Sequence, residues 1–236
     1  MKAPEPILTT DLSPELRQHL LSMLNGLTPD EWLLPTPARD WTVKDAALHL
    51  VGGDIGVLSR KRDGHSLPND SISNWHELVA FINGLNRTWV EATRRMSSRV
   101  LCDLLAHTGP RAEAYFMSLD PFAPGDSVEW AGPEPQPQWL DIAREYTERW
   151  HHQQQIRDAT GRPALYEPRL SAPVLDTFRV GTATHFSQCG CAGRHDRATY
   201  DYWRRRWRVR SPPGAGCVGT PGRWEFGGHR ASPAKG

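Results

Sequence analysis

Three side chains in two distant stretches of the chain have the types and spacing to hold a divalent metal. His49 lies inside the apolar run Ala46-Ala47-Leu48-His49-Leu50-Val51. An imidazole there needs a partner, because burying it unpaired costs on the order of 1–3 kcal/mol. Taken alone, it reads as a core histidine held by a hydrogen bond. Glu148 and His152 stand four residues apart, so on a helix they project from adjacent turns of one face. They border an apolar stripe of Trp139, Ile142, Tyr146 and Trp150 and can lean into an interior. Two imidazoles and a carboxylate from two helices make a ligand set used for catalytic zinc, with positions left open for water or substrate. Glu-x-x-x-His is common by chance and gains weight only from a fold that brings residue 49 to it. His151 sits about 100° around the helix from His152. It reads as solvent-facing or as a support for the ligands.

Other reactive residues carry less. Four cysteines, Cys102, Cys189, Cys191 and Cys217, are too few and too scattered for a disulfide framework. Cys102 reads as a small core residue. His185, Cys189, Cys191 and His195 contain a Cys-x-Cys pair, which is not the usual Cys-x2–4-Cys spacing of a zinc site. The cluster Arg204-Arg205-Arg206-Trp207-Arg208-Val209-Arg210, with Trp203 beside it, has the charge and stacking faces of a nucleic-acid grip. Its glycine- and proline-rich setting points instead to a solvated basic tail, and no nucleic-acid partner is expected.

The elements that must position the candidate ligands are helical. Ser13-Pro14-Glu15 is a helix start, followed by Leu16, Leu20, Leu24 and Leu27. Thr28-Pro29-Asp30-Glu31 starts a second, short turn. Thr42 and Asp45 cap a helix carrying His49, predicted to end near Gly64. A third helix begins at about Ser73, and its stripe Leu78, Ile82, Leu85, Trp89, Ala92, Met96 is the cleanest period in the chain. A fourth runs from about Val100 to Leu119, with Gly109-Pro110 predicted to kink or interrupt it. Residues 120–138 hold five prolines and read as a covering loop. The fifth helix, about Pro137 to Thr160, carries Glu148 and His152 and stops at Gly161. Long helices without a strand pattern give an all-α fold, a four-helix bundle.

Charge divides the chain. Residues 1–178 carry 17 Lys+Arg and 24 Asp+Glu, whereas residues 179–236 carry 11 and 3 and lack Leu, Ile and Met altogether. The expected organisation is a metal-binding bundle over 1–178 and an irregular or disordered Gly/Arg/Pro-rich tail over 179–236. Arginine outnumbers lysine 24 to 4, as a GC-rich bacterial genome produces. The N-terminal residues have no apolar signal segment, and no run reaches the roughly 18 apolar residues that span a bilayer. A cytoplasmic protein without membrane contact is expected.

Two stretches resemble one family. Trp32-Leu-Leu-Pro-Thr-Pro-Ala-Arg-Asp-Trp41-Thr-Val-Lys-Asp45-Ala-Ala-Leu-His49-Leu50-Val51-Gly52 is the first. Ala143-Arg-Glu-Tyr-Thr-Glu148-Arg-Trp-His-His152-Gln-Gln-Gln-Ile-Arg-Asp-Ala-Thr-Gly161-Arg-Pro163 is the second. Both are similar to the mycothiol-dependent maleylpyruvate isomerase family, whose N-terminal domain is a DinB-like four-helix bundle. The resemblance runs from about residue 10 to 178. It implies a divalent metal, expected to be zinc, held by His49, Glu148 and His152, with mycothiol or a similar low-molecular-weight thiol as cofactor. It also implies a small electrophilic substrate, attacked by the thiolate in a cis/trans isomerisation or an S-transfer. No protein cysteine is needed as nucleophile. Family members continue into a small α/β domain; here Leu175-Asp-Thr-Phe178 is followed by residues without that pattern. Codons for Arg179-Val-Gly-Thr-Ala-Thr-His-Phe-Ser187, read one base later, can spell the family's continuation, so a shifted reading frame is the expected cause.

Overall fold

The computed structural model describes residues 5–38, 40–65, 75–127 and 135–188, without the side chains of 75–76 and 181–188. Residues Met1–Gln188 form one compact unit. Among the described residues six α-helices build it: α1 (Ser13–Asn25), α2 (Val43–Gly56), α3 (Trp75–Thr93), α4 (Ser98–Met117), α5 (Gln138–Ala159) and α6 (Pro168–Gln188). The all-α bundle expected from the periodicity is the fold observed. Helices α1, α2, α4 and α5 pack on one another, α3 lies against α2, and α6 lies against α5. The main core joins Leu20, Leu24, Trp32, Leu48, Val51, Leu101, Leu105 and Ile156. Cys102 belongs to it as well. Among the described residues no helix is long and apolar enough to cross a membrane.

The local signals hold at most ends. Thr42 and Asp45 form a reciprocal capping box, each side chain accepting the other residue's backbone N–H. Arg94 pairs with the same Asp45 through two nitrogens, at 2.8 and 3.0 Å, tying the start of α2 to the end of α3. Ser97 caps α4 by accepting from the Val100 N–H. Gly161 ends α5 with φ +63°, a left-handed conformation that glycine adopts freely.

Four expectations are corrected. Helix α2 does not run on to Gly64 as an α-helix; it widens into a π-helical segment over Val57–Arg62. Helix α4 continues through Pro110 without interruption. The proline-rich segment contains two short antiparallel strands, β1 (Pro124–Ser127) and β2 (Pro135–Pro137), paired Pro124 with Pro137 and Ser127 with Pro135. The clean stripe of α3 is only half used: Trp89 packs on the core, but Ile82 and Leu85 are exposed. Helix α3 lies mainly against α2, so its outer turns meet little to bury against.

Helix α6 begins at Pro168 and runs past residue 178 to Gln188. Its start satisfies the proline preference for the first helical position, where no N–H is required. His185 lies on its backbone; Cys189, Cys191, His195 and residues 203–210 lie outside the described residues.

Candidate metal centre

Helix α5 is buried on nearly every side, because it lies against α2, α1 and α6 at once. Trp139, Ile142, Tyr146 and Trp150 face the interior as their spacing predicts, and so do Glu145, Thr147, His151, His152, Gln153 and Gln155. A helix this enclosed must find partners for its polar side chains, and it does so in two groups.

The first group is the predicted ligand set. His49 of α2 reaches His152 of α5, with ring centroids 4.6 Å apart in an edge-on arrangement. The Nε2 atom of His152 stands 3.3 Å from Oε2 of Glu148. One ligand atom from each of His49, Glu148 and His152 can be chosen so that all lie within 4.8 Å of one another. Ligand atoms on one tetrahedral ion, at bonds of about 2.0–2.2 Å, lie roughly 3.3 Å apart. The donor set is one that a divalent cation takes, and the His152–Glu148 pair already stands at that separation.

Burial and neighbouring charge set the protonation of two of these groups. Burial pushes the His49 imidazole down to about 3, and the neighbouring His152 adds to the effect, so its ring is neutral with a lone pair to offer. Burial works against the Glu148 carboxylate, but the hydrogen bond with His152 and the charge of Arg144 outweigh it and hold the group below the usual carboxylate range. Glu148 keeps 49% of its side chain exposed while His152 keeps 5%, so the centre lies at the edge of the bundle with one open side.

Trp41 forms a wall of the centre, its ring 4.9 Å from that of His49 and 5.8 Å from that of His152. It is placed by a tight turn in which Thr36 N–H donates to the Trp41 carbonyl at 2.9 Å and Val43 N–H donates to that of Leu34. Asp40 takes a φ of 68° in this turn, a conformation Asp tolerates better than most residues. Behind His49, Trp89 donates from Nε1 to the Leu48 carbonyl at 2.8 Å.

The second group is a chain of charges that residue spacing did not reveal. Lys61 of the π-helical segment pairs with Asp141, which also takes Arg144. Arg144 pairs with Glu145, Glu145 with Arg149, and Arg149 with Asp54 at 2.7 Å. Asp54 accepts from the Thr108 hydroxyl. Burial would raise the Glu145 carboxyl, but Arg144, Arg149 and Lys61 bring it down to about 2. Positions 141, 144, 145, 148, 149 and 152 share one face of α5, so this network adjoins the candidate ligands. A repeated i,i+3/i+4 pattern of acids and arginines was the available signal.

His151 is buried at 7% exposure. Of the two alternatives, the solvent-facing one fails. His151 instead meets Gln155, whose carboxamide lies between it and His152.

The mycothiol maleylpyruvate isomerase N-terminal domain family matches residues 14–157, more than half of the chain. The chain belongs to that family. A crystal structure of the mycothiol-dependent maleylpyruvate isomerase, solved as a histidine-to-alanine mutant, is similar in fold at a TM-score of 0.51 and 13% identity. The similarity covers 71% of this chain and 65% of that one, so this member of the family spans less than two thirds of the length of that isomerase. No curated protein matches the chain.

Proposed function

We propose that this family member is a thiol-dependent isomerase or S-transferase in which His49, Glu148 and His152 hold one divalent cation. The donor set of two imidazoles and one carboxylate suits zinc. Mycothiol or a similar small thiol is the cofactor, and the substrate is a small electrophile. The observation that carries the reading is the convergence of three ligand atoms from α2 and α5 within 4.8 Å.

A bound cation would supply Lewis acidity that keeps a thiol in its thiolate form near neutral pH. The protein's own side chains do the rest. His49 offers a neutral ring because it is buried. Glu148 contributes the negative charge and leaves one side of the centre open. Trp41 shields the two rings and supplies an apolar surface to anything bound beside them. Cys102 takes no part as nucleophile: it is buried in the core, and burial pushes its thiol up, away from the reactive thiolate.

The test is turnover of an electrophilic probe by the zinc-supplemented protein with and without a low-molecular-weight thiol. Expected is thiol-dependent turnover that His152→Ala abolishes. Metal bound without any turnover would leave a metal-binding bundle in place of an enzyme.

A further inference from the structure

The carboxamide of Gln155 bridges two buried histidines on the same helix. Its Oε1 lies 2.8 Å from Nδ1 of His152, and its Nε2 lies 2.8 Å from Nε2 of His151. Gln155 itself is 6% exposed and His151 7%, so water does not compete freely for either contact. Residues 151, 152 and 155 are related by one, three and four positions on α5, which places the two rings and the amide on adjacent turns.

A carboxamide has two chemically different ends. With Oε1 against His152, Nδ1 must carry the proton and donate it. The lone pair of a neutral ring is then on Nε2, the atom 3.3 Å from Glu148. Turning the amide over would place an N–H against Nδ1 and move the ring proton to Nε2, where a cation should sit. Nε2 of His151 takes the other end of the amide, so the carboxamide is held from both sides in the orientation that gives Nδ1 of His152 an acceptor.

Resting on the metal reading above, we propose that Gln155 is a positioning residue that favours the metal-ready tautomer of His152 by offering an acceptor to its Nδ1, with His151 holding the far end of the amide. A side chain of this kind behind a metal-binding histidine typically changes metal affinity by about 10–100-fold when removed.

The experiment is calorimetric titration of the full chain with zinc ion alone, on wild type, Gln155→Met and Gln155→Glu. Thermal unfolding of each metal-free protein and long-range 1H–15N spectra of the histidine rings accompany it. Methionine keeps the volume and removes both hydrogen bonds. Expected is a drop of about 10–100-fold in zinc affinity at near-unchanged metal-free stability, with the His152 proton no longer confined to Nδ1. Glutamate can still accept from Nδ1–H, and His151 can change tautomer to donate to it, so Gln155→Glu should bind zinc at least as tightly as wild type. Wild-type affinity and tautomer in Gln155→Met would overturn the proposal while leaving the metal centre intact. If Gln155→Met does not fold, a folded Gln155→Glu that has lost tenfold or more in affinity overturns it equally. A wild-type chain that takes up no zinc removes the metal reading and this inference together.

Discussion

At the scale of single residues, protonation decides whether the candidate centre can offer ligands. His49 is held neutral because its surroundings penalise a charged ring, and a neutral ring is what a cation requires. Removing that ring by His49→Ala should lower zinc affinity by at least about 100-fold, more than the loss of a supporting group would, which competition with a chromogenic chelator measures. Residue identity and spacing made Glu148 and His152 legible, and the family resemblance singled out His49 as their partner. Gln155 was not legible: it is one of three consecutive glutamines, and only the side-chain geometry separates it from Gln153, which donates to the Leu16 carbonyl instead.

At the scale of elements, α2 and α5 must keep a fixed relation for the three ligands to meet. Gly52 permits the close approach of Trp89 behind α2, since a Cβ there would lie 2.7 Å from its indole ring. Gly52→Ala should cost about 1–3 kcal/mol and break the Trp89–Leu48 bond, a loss visible in chemical denaturation. The charge chain on α5 gives a pH signature. Glu145 is held at about 2 in the folded protein, against about 4.3 in an unfolded chain. Because the folded value is the lower one, its contribution is present above the unfolded value and is lost as pH falls from about 4.3 towards 2. Glu145→Gln should remove that part of the acid sensitivity, yet at pH 7 it should cost about 1–3 kcal/mol by leaving Arg144 and Arg149 with one partner fewer. Denaturation midpoints at pH 3 and pH 7 check both signs. The periods of α1, α2, α4 and α5 and the capping box of α2 were readable because each is a local property of the sequence, whereas Ser13, read as the cap of α1, lies inside the helix. The π-helical turn and the reach of α6 were not, because they depend on packing against helices elsewhere in the chain, and the short strands carry no alternating pattern among their prolines.

At the scale of the molecule, the family supplies the bundle and this chain's own residues supply the proposed centre at its edge. The all-helical class followed from periodicity, whereas the exposure of Ile82 and Leu85 shows that a strong period does not by itself say which face becomes core. The central claim is that α2 and α5 together hold one metal ion. Elemental analysis of the purified full chain, set beside Glu148→Ala, tests it most directly. Expected is about one divalent metal per wild-type chain, in keeping with a single three-ligand site, and little or none in the variant. A metal-free wild type, or a variant that retains the same content, would contradict it.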